Sequence, residues 1–377
     1  MIIGAGLVAI VGAGVYLLSS SSPQREVETK HSTGSADLRA APDVTPAEVD
    51  PSATIPPQAA IPPEPPAVRI DQILEKLRAG KVSVEELDAF RRAMLEGDAR
   101  EAIAAIRQFL ASGRDAPTGE PFTPGGRGQL ETAPTLRVLL LDVLGVLDRQ
   151  AGTGESAEIS REVLQKRTSP DEWAISLRNV AWQEPQSHAY LSTKMREMLT
   201  HRPWMEEPSG GLLEAFDVIV HTRDASFLPT LAEFVEGENP ELNRAAGVAL
   251  DRFSQAAPLE VMSFLNNHPG ALAQRPFVRA DFFAAADVAQ EGQRQAFEAY
   301  LSRPDVSLEE KTKALQALAV PTSFVSENLL TVSPPPVPAE DLKRREGLAK
   351  VAESWLASGR FPELQPAIRE LNATLKP

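Results

Sequence analysis

The 377-residue chain contains no cysteine. That absence excludes disulfides, thiolate nucleophiles, cysteine-ligated metals and a bacterial lipoprotein anchor together. It accords with an extracytoplasmic setting, where a lone thiol is a liability, although cytoplasmic chains also lack cysteine. Valine and isoleucine are sparse beside alanine and leucine, which favours helix over sheet. A basic face is missing as well. The net charge is −14. Residues 19–66 hold three basic groups (Arg25, Lys30, Arg39) against seven acidic ones, so −10 of that charge falls on the remainder. A nucleic-acid binder needs a basic face to release counterions, so nucleic acid is not expected as a partner. Catalytic signatures are equally thin. HExxH and Gly-x-Ser-x-Gly do not occur, and no two of the five histidines stand at a metal-binding spacing.

What is present is an order of segments. Met1 to Leu18 carries no charged side chain. As a helix at 1.5 Å per residue, residues 2–18 would span about 26 Å, near the thickness of a bilayer core. Gly4, Gly6 and Ala9 fit the dinucleotide pattern G-x-G-x-x-A. That pattern requires a strand before it and a βαβ unit around it, and a Ser/Pro-rich stretch follows instead. A retained membrane anchor is favoured over a cleaved signal peptide, with the C-terminal body exported to the periplasmic or extracytoplasmic side; cleavage would make it secreted. Residues 19–67 are expected to be a disordered tether. Positions 42–66 alone hold nine prolines, a composition that extends as polyproline II and nucleates no core.

From Val68 onward amphipathic helical patterns follow one another with no convincing strand, and the fold class read is all-α. Start signals parse the region. Ser83 with Glu86, Asp98 with Glu101, Ser169-Pro170-Asp171-Glu172 and Ser307 with Glu310 all read as N-caps with a glutamate three residues on. Apolar faces lie behind them, such as Leu136, Leu140, Val143, Leu144 and Leu147. From Leu228 the chain runs LPTLAEFVEGENPELNRAAGVALDRF. This resembles a HEAT repeat over residues 228–253: Leu228, Leu231 and Phe234 on a first helix, then Pro240, Leu242, Arg244, Ala245, Ala246, Ala249 and Leu250 on a second. The resemblance implies an irregular helical-repeat array, with a proline opening the second helix, alanines allowing close packing and Arg244 along the ridge between repeats. No fixed period carries through the rest. The body is read as 68–333, with a final helical cap at 334–377 in which Trp355 packs the last pair onto the array. A globular helical bundle is the alternative architecture.

Residues 113–135 interrupt the pattern with five glycines and four prolines, either a mobile loop or a contact element that carries Phe122. Glu214, Asp217 and His221, with Asp224 beyond, share a helical face able to ligate a metal. Because that face lies opposite Leu212, Phe216 and Ile219, it is read as the solvent side of an amphipathic helix, and no metal or cofactor is expected. Trp173, Trp182, His188, Tyr190 and Trp204 cluster in the chain, either as core or as a binding groove. The expected function is a membrane-tethered helical-repeat adaptor for another protein or an extended peptide, not an enzyme, with Phe122, Trp182, Tyr190, Trp204 and Arg244 as candidate partner-binding residues. The rivals are an all-α enzyme acting on envelope polysaccharide and a spacer without a ligand. Brief proteolysis of the full-length protein is expected to release a resistant fragment starting near Val68. Protection throughout residues 40–66 would show instead that this stretch docks on the body.

Overall fold

The computed structural model describes residues 64–320, 328–332 and 337–376. The expected membrane segment 2–18 and all but the last residues of the expected tether lie outside the described residues. Among the described residues, no helix is long and apolar enough to cross a membrane. What is described is all-helical apart from one small hairpin.

Helices α1 (Pro66–Arg78), α2 (Val84–Leu95) and α3 (Ala99–Ala111) open the body. After the hairpin come α4 (Leu136–Ala151), α5 (Glu155–Val163), α6 (Pro170–Gln183) and α7 (His188–Leu199). Two short helices, α8 (Arg202–Glu206) and α9 (Gly210–Glu214), precede α10 (Phe216–Thr222), α11 (Leu228–Glu236) and α12 (Pro240–Ala256). The chain continues through α13 (Pro258–Asn267), α14 (Pro276–Ala284), α15 (Glu291–Leu301) and α16 (Leu308–Ala317). It ends with α17 (Pro338–Ala357) and α18 (Gln365–Leu375).

The main packing joins helices that are close in the chain: α3 on α4, α4 and α5 on α6, α6 on α9, α10 and α11 on α12. Beyond them α12 packs on α13, α13 on α15, α14 on α16 and α17 on α18. One continuous apolar core threads these layers, and Leu74, Leu144, Leu177, Leu250 and Leu315 are fully covered within it. The stretch 228–253 forms the pair α11 and α12, opened by Asn239, whose side chain accepts from the Glu241 and Leu242 amides. Trp355 of α17 is buried; its Nε1 donates to Glu298 Oε1 of α15 at 2.8 Å, and its ring lies against Phe297.

The cap signals behave unevenly, for a tertiary reason. Ser83 and Glu86 form the complete reciprocal box. Ser169 and Ser307 also cap their helices, but their glutamates do not reach back. Glu172 instead takes a two-pronged bond from Arg137 of α4 at 2.9 and 3.0 Å, and Glu310 takes one from Arg279 of α14 at 2.7 and 2.9 Å. Each of these four side chains is buried. A bidentate arginine–carboxylate bond in a dry interface outweighs one exposed capping bond.

The loop at 113–135 also departs from expectation. It contains a two-stranded antiparallel hairpin, β1 (Thr123–Pro124) and β2 (Leu130–Thr132), with Thr123 opposite Thr132. Its backbone is tied to the helices. Arg91 of α2 donates to the Leu130 and Glu131 carbonyls, and the Leu130 amide donates to Asp142 Oδ1 of α4. Strand-poor composition did not forbid a strand here, because helix side chains supply the polar partners a lone hairpin would lack.

Leu250 lies at the centre of the α11–α12 layer and is fully buried. Leu250→Ala is expected to lower stability by about 2–5 kcal/mol in a denaturant titration. A midpoint unchanged within error would remove this pair from the core.

Candidate functional site

Between α9–α10 and α12 the surface opens into a cleft of about 590 Å³. Its apolar wall is made by Leu213, Phe216, Ala245, Val248 and Ala249. Glu214, Glu241 and Arg244 bring charge to it, Asp217 and Arg252 lie at its base, and Phe122 and Asn328 reach it from distant parts of the chain. Three local features build this arrangement.

The first is the break between α9 and α10. Ser209 caps α9 through the Leu212 amide, and Gly210 and Gly211 start the helix. A Cβ on Gly210 would stand 2.9 Å from Phe122 Cβ, and one on Gly211 would stand 2.5 Å from Asp171 Oδ1. These glycines are the floor on which the hairpin lies, so Phe122 is buried against α9 and not offered to solvent. Glycine is required here for close approach, not for backbone freedom.

The second is Arg178 of α6, fully buried. It donates to Asp142 Oδ1 at 2.5 Å and to the Gly128 carbonyl in the hairpin at 2.8 Å. Its guanidinium lies 4.0 Å from the Trp182 ring centre. Burial pulls its pKa down from the usual arginine value, and the Asp142 carboxylate opposes that pull. This contact fixes the hairpin's position over α4 and α6.

The third is a strap. Residues 328–332, between α16 and α17, run back to the middle of the chain. Asp217 Oδ2 accepts the Leu330 and Thr331 amides at 2.7 and 2.8 Å, and its Oδ1 accepts the Thr331 hydroxyl. Arg252 donates to that same hydroxyl oxygen at 2.6 Å and stands 3.7 Å from Asp217. Leu329 is fully buried, and its carbonyl comes so close to Gly128 that a Cβ there would sit 2.2 Å away. Gly128 also has φ +74°, so both sterics and backbone demand glycine.

The solvent-side reading of the Glu214–Asp217–His221 face does not hold in the structure. Asp217 is 6% exposed, because α10 is covered by α7, α12 and the strap together. The four residues of that constellation go to different partners. His221 packs edge-on to His188, Asp224 pairs with Arg196 at 2.6 Å, Asp217 holds the strap and Glu214 turns to the cleft. Among the described residues, no three His, Asp or Glu side chains are grouped to hold a metal ion. Burial first, and Asp217 second, push the Glu214 carboxyl up to about 7, against the pull of Arg244 and Arg252.

Of the candidate residues, Phe122 and Arg244 line the cleft, Phe122 from within and Arg244 as an exposed side chain at its mouth. Trp182, Tyr190 and Trp204 do not. Trp182 is sandwiched by the Arg178 and Arg149 guanidinium groups, Tyr190 lies under Arg161, and Trp204 stacks edge-on to the buried Trp173. Each is half-buried. Sequence clustering therefore did not translate into one aromatic surface. The chain matches no protein family, no curated protein and no solved structure. What the cleft can do follows from its geometry: it buries apolar groups, offers one carboxyl poised near neutrality, and already holds the backbone amides of another segment of the chain.

A carboxyl whose folded pKa exceeds its unfolded value binds more protons in the native state, so stability falls as pH rises from about 4.5 to 7. Glu214→Gln removes that liability. The variant and the parent should be nearly equal at pH 5, and at pH 8 the variant should be more stable by on the order of 2–3 kcal/mol. Chemical denaturation across pH checks this; a difference that does not change with pH would refute the assigned environment of Glu214.

Proposed function

We propose that this protein is a helical-repeat adaptor that binds an extended segment of another protein in the cleft between α9–α10 and α12. The architecture this reading uses is an irregular, HEAT-like array, in which each layer packs on its chain neighbours and leaves a long surface for a partner. One observation carries it most directly. The base of the cleft already holds a bent segment of chain, 328–332, through the Leu330 and Thr331 amides and the Thr331 hydroxyl on Asp217. Carboxylate capture of backbone N–H groups beside an apolar wall is a general way to hold a peptide whatever its side chains. The cleft volume also lies in the range that encloses a ligand, about 300–1,000 Å³.

The apolar residues 2–18 and the proline-rich composition behind them support a membrane-tethered, extracytoplasmic placement of the body. Secretion of the free body is the variant of this placement if the apolar segment is cleaved.

Glu214 favours a second reading, an enzyme acting on envelope polysaccharide, because a carboxyl near neutrality in a cleft suits a general acid. Glycoside hydrolysis also needs a second carboxylate free to act on water or sugar. Asp217 has both oxygens committed to the strap, which leaves Glu241, exposed on the rim, among the described lining residues. The adaptor reading is the better supported.

A photo-cross-linking residue placed at Val248, in the cleft, and at Leu308, exposed on α16, separates these readings in cells expressing the full chain. Discrete protein adducts from position 248 and none from 308 are expected. Adducts to glycan from position 248 would replace the adaptor with the polysaccharide enzyme, and no adduct from either position would remove both.

A further inference from the structure

The unfilled part of the cleft has a chemistry of its own. Glu214 is half-buried there and has neither a hydrogen bond nor an ion pair among the described residues. Asp217 adds negative potential at Glu214, which Arg244 and Arg252 oppose, and Glu241 lies on the rim. Among the described lining residues Arg244 is the other cation, and it is exposed. Beside Glu214 the wall is aliphatic and aromatic: Leu213, Phe216 and Val248. Val248 is 36% exposed although it faces this hollow.

We propose that this part of the cleft takes a lysine or arginine side chain of the partner segment, its methylene stem against Leu213, Phe216 and Val248 and its charged head on the Glu214 carboxylate. The inference rests on the peptide-binding reading and names the class of peptide. Lysine and arginine suit such a site because their stems bury on apolar surface while the head seeks a carboxylate. An acidic peptide would bring its charge towards Glu214 and the rim carboxylate of Glu241. The chain's net charge of −14 adds a long-range pull on basic partners and raises the rate of encounter. A cation arriving at Glu214 also relieves the cost of ionising a carboxyl that burial and Asp217 hold near neutrality. The site is thus a cavity with a carboxyl that makes no hydrogen bond or ion pair among the described residues, and a basic side chain supplies both the volume and a direct counter-charge.

The test is selection of a displayed random twelve-residue peptide library on the full-length protein and, in parallel, on its Glu214→Gln variant, whose melting curve is taken first to show that it folds. Peptides enriched on the parent are expected to share a Lys or Arg beside an apolar residue. A representative peptide, followed by fluorescence polarisation, should bind the variant about tenfold more weakly. Changing its basic residue to norleucine should cost the same on the parent and nothing further on the variant, the signature of a direct pair. Enriched peptides without a shared basic residue, or equal binding to parent and variant, would overturn the basic-side-chain assignment while leaving the peptide site. Acidic peptides that lose binding on Arg244→Met would transfer the site to the opposite charge. Failure to enrich any peptide on the parent would overturn the peptide-binding reading itself, and this inference with it.

Discussion

A single buried ion pair, Arg178 with Asp142, sets the position of nearly everything that reaches the cleft. It joins α6 to α4 and holds the hairpin by its Gly128 carbonyl, while Asp142 also takes the Leu130 amide. The hairpin so placed does two things. It lays Phe122 on the two glycines of α9, and it presents Gly128 as the surface against which Leu329 of the strap closes. The strap then delivers Leu330 and Thr331 to Asp217. Removing either partner of such a pair leaves an uncompensated charge in a dry interface, at a cost of about 3–5 kcal/mol, whereas the intact pair contributes little net stability. Its role here is to specify geometry.

The same economy recurs along the helical body. Arg137 with Glu172 and Arg279 with Glu310 each lock neighbouring layers through a two-pronged bond, and Tyr300 adds its hydroxyl to Glu310 at 2.8 Å. A helical body built largely from leucine and alanine has many nearly equivalent ways to slide one helix along the next. A buried bidentate contact has one register, since a displaced arginine would leave both charges unpaired. Arg91, Asp142 and the hairpin carbonyls extend this logic to irregular backbone, whose polar groups would otherwise be orphaned.

Among the described residues the strap makes the hydrogen bonds that reach furthest along the chain. Asp217 and Thr331 are 114 positions apart in the chain. The strap turns a surface shared by α10 and α12 into a cleft with a closed end, and it gives α10 the cover that makes Asp217 a buried group. A partner segment entering the open end would meet small side chains on α12, Ala245 and Ala249, and the charge of Glu214. The break between α9 and α10 beside α12 supplies the hollow, and one distant segment bounds it.

By itself the sequence determined the all-helical class, the N-caps at Ser83, Asp98, Ser169 and Ser307, and the helix pair at 228–253. These rest on local spacing and hydroxyl or carboxylate capping, which act within a few residues. Phe122 and Arg244 were legible as candidates, one as an apolar side chain in a polar loop and the other as a cation on a repeat-like helix. Only the tertiary structure decided that Glu172 and Glu310 leave their caps for arginines, that residues 123–132 pair as a hairpin, and that the Asp217 face is covered. Each of these depends on a partner 12 to 114 positions away. No helical periodicity can report such a partner, because the face of a short helix looks solvent-exposed until a segment outside the pattern arrives to bury it.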